Sequence, residues 1–483
     1  MSFNIAYIHR IVNFYMAIGM VVSSEGRDVD ILVNSDGVEI GTILKIDDFY
    51  GIVAYMHYKE DEKIGSKQKL IARVQIFGKL GKNRLVKIKR PIEPYKEVTL
   101  ASDKELKEML SDEENISIGN VYGTKARAFL NPREYDRHMA ILASTGAGKS
   151  YTAANLIKEF SLLSLPEIII DTHGEYHKLL SSLLKDSNVD IEVYTVKHPR
   201  KGFKELKIPV SALSSEDFYH FKQFTEPQKS ALDSALDKLP EGGYSLRDII
   251  EACDKLNTKD FHEGTIKALK RKLKDLERTF QNVFDVYGTN ITRLVKPYQI
   301  TIIDTSYAPQ SVRQSVVSYV ANEILQGRIR YKNEMSNPIE YELLFVVEEA
   351  HNYGSSKLSH SCKYQLQRIA SEGRKFGVGL CVISQKPSKI DEEILSQCNT
   401  GIYMHITNPN DKDHIKRSFE SINEEIIKDL DSLDVGECII AGAMNRIPFL
   451  VCEVDKLPVD EERKRMPKYR KEEKMKVGNF DYI

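Results

Sequence analysis

A lysine and a hydroxyl just after a glycine turn, and two glutamates just after an apolar run, are residue sets that handle polyphosphates. The chain carries both. The first set is Ala143-Ser144-Thr145-Gly146-Ala147-Gly148-Lys149-Ser150-Tyr151, preceded by the apolar run Met139 to Leu142 and followed by Ala153, Leu156 and Ile157 at helical spacing. Strand, glycine turn and helix is the order a phosphate-binding P-loop needs. The turn's N–H groups and the positive end of the helix surround a β-phosphate, Lys149 reaches the β- and γ-oxygens, and the Ser150 hydroxyl ligates Mg²⁺. Chance supplies Gly-x-Gly-Lys-[Ser/Thr] in roughly 2 % of chains this long, and the flanking strand and helix push the chance reading well below that. The usual first glycine of the motif is replaced by Ala143. A left-handed φ would cost alanine about 1 kcal/mol, so the expected backbone there is one that alanine tolerates.

The second set is Leu343 to Val347 followed by Glu348 and Glu349. A strand ending this way holds Glu348 where it can bind Mg²⁺ and aims Glu349 at a γ-phosphate, where it polarises the attacking water. An acidic pair after a strand also suits a helix N-terminus through the macrodipole; the P-loop upstream at domain spacing decides for chemistry. Gln385 ends another apolar run, and both a γ-phosphate sensor and an ordinary polar strand end fit the position. Arg368, Arg374 and Lys375 lie in the helix-like segment Gln365 to Phe376. They are too far round a sheet to serve their own phosphates easily. A guanidinium there either faces the nucleotide of an adjacent subunit, worth about 10³ to 10⁵ in rate where it exists, or makes a surface salt bridge.

The frame for these residues is a chain of 483 residues, 41 % hydrophobic and 29 % charged, which suggests a soluble globular protein of two or three domains. A net charge of -1 argues against an all-over basic nucleic-acid coat and leaves room for a local basic channel. Six cysteines without C-x-x-C spacing read as reduced, mostly buried thiols of a cytoplasmic protein. The apolar run Ile11 to Val22 is too short to span a bilayer and reads as a first barrel strand.

Residues 1 to about 100 are strand-like: Asp28 to Val33, a hairpin turn at Asp36-Gly37, then Val38 to Ile46, Gly51 to Met56, Ile71 to Phe77 and Leu85 to Ile88. Ser102 to Glu105 is a capping box, and Ser111 to Asn115 reads as a linker. Glu167 to Tyr176 (Glu-Ile-Ile-Ile-Asp-Thr-His-Gly-Glu-Tyr) adds a βαβ unit and hence a parallel sheet. Helical stripes follow, capped at Thr225 to Gln228 and running through Ile266, Leu269, Leu273, Leu276 and Phe280. Strands return at Tyr298 to Asp304, Leu343 to Val347, Gly377 to Gln385 and Gly401 to Thr407, and Cys438 to Ala443 and Pro448 to Val454 suit a closing hairpin. The expected organisation is a small β-barrel over 1–112, an α/β core in two parts over 113–211 and 296–455, a helical insertion over 212–295, and a charged tail over 456–483.

Taken together, Arg137-His-Met-Ala-Ile-Leu142, the P-loop, Asp171-Thr-His-Gly-Glu-Tyr176, Val347-Glu-Glu-Ala-His351, Glu372-Gly-Arg-Lys-Phe-Gly-Val-Gly-Leu380, Ser384-Gln-Lys-Pro387 and Ile394-Leu-Ser-Gln397 resemble a HerA-type ATPase of the HerA/FtsK superfamily. The resemblance covers nearly the whole chain. It implies an α/β fold with a RecA-like P-loop core behind an N-terminal barrel. It also implies a ring hexamer that hydrolyses ATP with Mg²⁺ to move along double-stranded DNA. A NurA-like nuclease or another effector would dock on the barrel face, in end processing or phage defence. By the same resemblance Thr145 to Tyr151 lie on the phosphates, Ser150 and Glu348 on Mg²⁺, Glu349 is the base, Arg374 a trans arginine finger and Gln385 a sensor. Arg137, Arg446 and Ile447 are further nucleotide contacts. Lys386 departs from the family's Ser-Gln-Arg-Pro and loses a planar bidentate donor.

DNA contact is a weaker reading of the residues. In a ring of six, one or two lysines per chain suffice to line a channel; Lys357, Lys363, Arg200 and Lys201 are the candidates, and a solvated loop explains each equally well. Three rivals stand beside the motor: a conjugation or packaging motor, disfavoured by the barrel and by the lack of a membrane span; a nucleotide-regulated scaffold for an effector; and a metabolic kinase, in which Arg374 would be dispensable.

Overall fold

The computed structural model describes residues 17–60, 68–81, 85–111, 114–240, 242–358, 361–420 and 422–456. The expected tail over 456–483, apart from Lys456, and the first part of the run Ile11 to Val22 lie outside the described residues. The N-terminal strands are β1 (Gly19–Glu25), β2 (Asp28–Val33), β3 (Ile43–Ile46), β4 (Phe49–Glu60), β5 (Gln68–Leu80), β6 (Leu85–Val86) and β7 (Glu97–Leu100). Six close into a barrel in the order β2-β1-β7-β3-β4-β5, with β5 returning to β2, while β6 adds to β5. The period of two explains the closure: Val29, Ile31 and Val33 turn inward beside Val53, Val74 and Val98, and Asp28 and Asp30 alternate away from them.

Two sequence expectations fail here. The Asp36-Gly37 turn does not join paired strands, since β2 pairs with β1 and β5, and β3 pairs with β4 and β7. Nor is Val38 to Ile46 one strand; only Ile43–Ile46 is. The intervening residues stay on the barrel, Val38 in its core and the Gly41 N–H donating to Val53 O at 2.8 Å, while touching the α/β core. Gly41, at φ 88°, passes so close to Val451 that a Cβ would meet its Cγ2 at 2.3 Å, an approach only glycine permits.

The core strands are β8 (Ile116–Val121), β9 (Arg127–Leu130), β10 (Met139–Leu142), β11 (Glu167–Asp171), β12 (Asp190–Thr195), β13 (Lys204–Glu205), β14 (Ile208–Pro209), β15 (Phe284–Asp285), β16 (Gln299–Asp304), β17 (Leu343–Glu348), β18 (Val378–Ser384), β19 (Thr400–Tyr403), β20 (Glu437–Gly442) and β21 (Phe449–Val454). Twelve form one sheet, β13-β12-β16-β11-β17-β18-β10-β19-β20-β21-β8-β9, and β14 pairs with β15 apart from it. From β13 to β19 the strands are parallel; from β20 onward they are antiparallel. Unbroken apolar runs such as Met139–Leu142 and Leu343 to Val347 suit strands covered on both faces, and every residue of β10, β11, β16, β17 and β18 is buried. The strand expected over Gly401 to Thr407 stops at Tyr403, because the chain then bends to the P-loop. Helices Ser215–Phe221, Glu226–Leu236, Leu246–Asp254 and Glu263–Thr279 pack on the core, the second opened by the Thr225 and Gln228 capping box. All six cysteines are free and buried. Among the described residues, no helix is long and apolar enough to cross a membrane.

Candidate nucleotide site

β10 runs into the P-loop, and the loop is held from both sides. Ala143 continues the ladder, its N–H donating to Ser384 O at 3.2 Å, and is not among the residues with positive φ. That is the backbone expected where glycine is missing. Gly146 and Gly148 take the left-handed turns at φ 84° and 101°, and the helix Lys149–Leu162 begins. Ser144 N–H donates to His405 O at 2.8 Å, and Gly436 N–H donates to Ala147 O at 3.2 Å.

The strands beside β10 deliver the rest. Parallel strands end at the same edge, so β17 and β18 bring Glu348, Glu349 and Gln385 to the P-loop side. Thr145 Oγ1 donates to Gln385 Oε1 at 2.6 Å. Lys149 Nζ pairs with Glu349 Oε1 at 2.5 Å, both side chains nearly buried. Glu349 stands in the left-handed region at φ 50°, ψ 44°, a conformation that costs a non-glycine residue about 1–2 kcal/mol. Its other oxygen, Oε2, is buried and makes no hydrogen bond among the described residues.

Glu348 is buried and accepts from Thr172 N–H at 2.9 Å and His173 N–H at 3.2 Å, with His173 Nδ1 also at 3.2 Å. The contact with Glu348 raises the His173 imidazole above its ordinary value, against the effect of burial. Asp171 receives the N–H groups of His173, Gly174, Glu175 and Tyr176 and so shapes the turn that carries His173. Burial, then the nearby Glu348 carboxylate, push Asp171 up to about 7. Ligand atoms of His173, Glu348 and Glu349 lie within 4.8 Å of one another. Two carboxylates, one with an orphaned oxygen, are a donor set suited to a hard divalent cation such as Mg²⁺.

The remaining candidates lie elsewhere in the chain. Arg137 precedes β10 and pairs with Glu134 at 2.6 Å. Arg374 is exposed in the 3₁₀ turn Gly373–Phe376 before β18. Arg446, whose Nη1 donates to Ser111 O at 2.9 Å, and the buried Ile447 sit in the turn from β20 to β21. Because β20 runs opposite to β19, that turn also falls at the N-terminal edge of the parallel strands. All four are therefore at the far edge from their own P-loop, about 13 Å away along a four-residue strand. The turn that does reach the P-loop is the one before β20, at Gly436. Of the basic candidates, Arg200 is spent on the buried Asp304 at 2.6 Å and Lys363 on Asp391 at 2.8 Å. Lys201 and Lys357 are exposed and carry no ion pair among the described residues.

Sequence reasoning missed Thr172 and His173 as partners of Glu348, and Asp171 as the residue that shapes their turn, although a polar turn at a strand end was a visible signal. Gly436 and His405 carried no local signal at all.

Against known proteins, residues 116–324 match the family model described as the central domain of helicase HerA. The DNA double-strand break repair helicase HerA of Saccharolobus solfataricus is 32 % identical over 381 residues, 73 % of this chain and 71 % of that one. Its counterpart in Pyrococcus furiosus is 29 % identical, covering 81 % of this chain and 78 % of its own. Among solved structures, VirB4 of Thermoanaerobacter pseudethanolicus superimposes with a TM-score of 0.53 at 16 % identity, covering 72 % of this chain and 98 % of that one. The plasmid coupling protein TrwB, solved with a non-hydrolysable ATP analogue, gives 0.51 at 15 %, covering 74 % and 92 %. These two establish a shared fold.

Proposed function

The chain belongs to the HerA helicase family, and from that premise we propose that it hydrolyses ATP to drive translocation and unwinding along double-stranded DNA. It works as a ring hexamer, with a nuclease or another effector on its barrel face, in DNA end processing or phage defence.

The observation that carries the catalytic assignment is the convergence of Lys149, Glu348, Glu349 and Gln385 at the mouth of one P-loop. Thr145 to Tyr151 surround the phosphates. Lys149 exchanges Glu349 for the β- and γ-oxygens, since both phosphate and carboxylate compete for one ammonium. Freed, Glu349 accepts a proton from the attacking water. Ser150 and Glu348 would hold Mg²⁺, which would supply positive charge against the charge that develops on the transferred phosphoryl group. Gln385, tied to Thr145 in the resting site, registers the γ-phosphate. Arg374 serves the nucleotide of the adjacent subunit, and Arg137, Arg446 and Ile447 share that edge with it.

The test is steady-state ATP hydrolysis with and without long duplex DNA, for the wild type, Glu349→Gln, Arg374→Ala and an equal mixture of the two variants. DNA stimulation, loss in each variant and partial recovery on mixing are expected. Tight nucleotide binding with almost no turnover, with or without DNA, would favour the nucleotide-regulated scaffold.

A further inference from the structure

Glu349 has two neighbours that can hold its carboxylate. Lys149 takes Oε1. On the other side His351 Nδ1 stands 3.2 Å from Oε2, yet it is directed to Ser384 Oγ at 3.0 Å, so Oε2 is left without a hydrogen bond. Ser384 Oγ is already occupied by the Lys386 N–H at 3.0 Å. The ring is thus poised between two oxygens, one of which has another donor and one of which has none.

When phosphate draws Lys149 away, the Glu349 carboxylate loses the one side-chain hydrogen bond it makes among the described residues. The nitrogen then beside its free oxygen is His351 Nδ1, 3.2 Å from Oε2. We propose that His351 is the positioning residue for Glu349: its Nδ1–H passes from Ser384 Oγ to Glu349 Oε2 when Lys149 leaves, and holds the other oxygen towards the attacking water. Because Ser384 precedes Gln385, the same exchange links the base to the strand that ends at the P-loop. The inference rests on the reading of Glu349 as base.

The experiment compares His351→Ala, His351→Asn, Ser384→Ala, Glu349→Gln and the double variant His351→Ala/Glu349→Gln in the full-length protein. It measures kcat, KM, binding of a fluorescent ATP analogue, and Tm. His351→Ala is expected to lower kcat by roughly 10- to 100-fold, the scale of a misplaced catalytic group, with nucleotide affinity and KM within about threefold. Asparagine, which can present an amide N–H near the place of Nδ1, is expected to recover most of that loss. Ser384→Ala should lower kcat less than His351→Ala does, and His351→Ala should cost nothing further once Glu349 is glutamine. A wild-type kcat in His351→Ala, no recovery with asparagine at normal Tm, or a loss in Ser384→Ala equal to that in His351→Ala would overturn the assignment. Retained turnover in Glu349→Gln would instead overturn the base itself.

Discussion

At their C-terminal ends β10, β17 and β18 deliver a lysine, two glutamates and a glutamine into one cluster; at their N-terminal ends the same part of the sheet presents Arg137, Arg374 and Arg446. At the first edge the two glutamates are buried and Lys149 is already matched to Glu349. The second holds guanidiniums whose partners are a surface glutamate, a backbone carbonyl and the field of Asp136, which both Arg137 and Arg374 lower against the larger effect of burial. Neither edge alone has what phosphoryl transfer asks for, a cradle with a base and a cation at the transition-state charge. In the proposed ring, the arginine edge of one chain would complete the cradle of the next.

The largest expected effect breaks that comparison outright. Arg374→Ala should lower kcat by about 10³ to 10⁵, the worth of an arginine finger, while each chain still binds nucleotide; fluorescent-nucleotide titration beside steady-state hydrolysis checks both halves. Turnover near wild type would mean that the second edge is only surface. Glu349→Gln removes the base from the first edge and should cost roughly 10² to 10⁴ in kcat. Mixing the two variants should restore activity at interfaces where intact halves meet.

Acid should distinguish the edges. His138, between Arg137 and β10, is buried, and its Nδ1 accepts the Leu380 N–H at 3.0 Å. Burial first, then Arg374, depress it to about 4. Unfolding lets it take a proton near its ordinary value, so between those values the unfolded state binds more protons and stability falls as pH falls. The loss amounts to as much as about 3 kcal/mol. His173 at the other edge is raised by Glu348, so its contribution is present in acid and fades as pH rises through its folded value. Denaturant titrations from pH 7 to pH 4 should show a slope that His138→Asn flattens and His173→Asn does not; equal slopes in all three proteins would contradict this.

What was legible in the sequence was local or strictly periodic. Met139 to Leu142, Leu343 to Val347 and the glycine turn announced their strands and loop because each signal lies within about ten residues. The barrel's pairing was not legible, since Asp36-Gly37 looks like a hairpin whether or not the next strand is its partner, and the partners β2 takes, β1 and β5, are not the strand that follows it. The placement of Arg446 depended on β20 running against β19, a direction no motif states. The bond from Thr172 to Glu348 joins residues 176 apart, and His351, two residues beyond the acidic pair, appeared only as the end of the run Val347 to His351, with no role of its own.

The smallest effect concerns charge outside both edges. Arg200 and Lys363 are matched to Asp304 and Asp391, whereas Lys201 and Lys357 carry no ion pair among the described residues. A matched arginine removed leaves one oxygen of the nearly buried Asp304 without its cation, Ser306 holding the other, so Arg200→Ala should cost about 1–3 kcal/mol of stability and show in Tm. An unmatched lysine removed costs little folding energy, and its absence is felt only where it meets a phosphate. Lys201→Ala and Lys357→Ala should therefore keep Tm and weaken duplex binding uniformly across sequences. Each should reduce the slope of log K against log salt by about one for every phosphate no longer neutralised. Fluorescence anisotropy at several salt concentrations measures that slope. An unchanged slope for either lysine would return it to the solvated surface, and leave the channel to be lined from the loops that end the parallel strands.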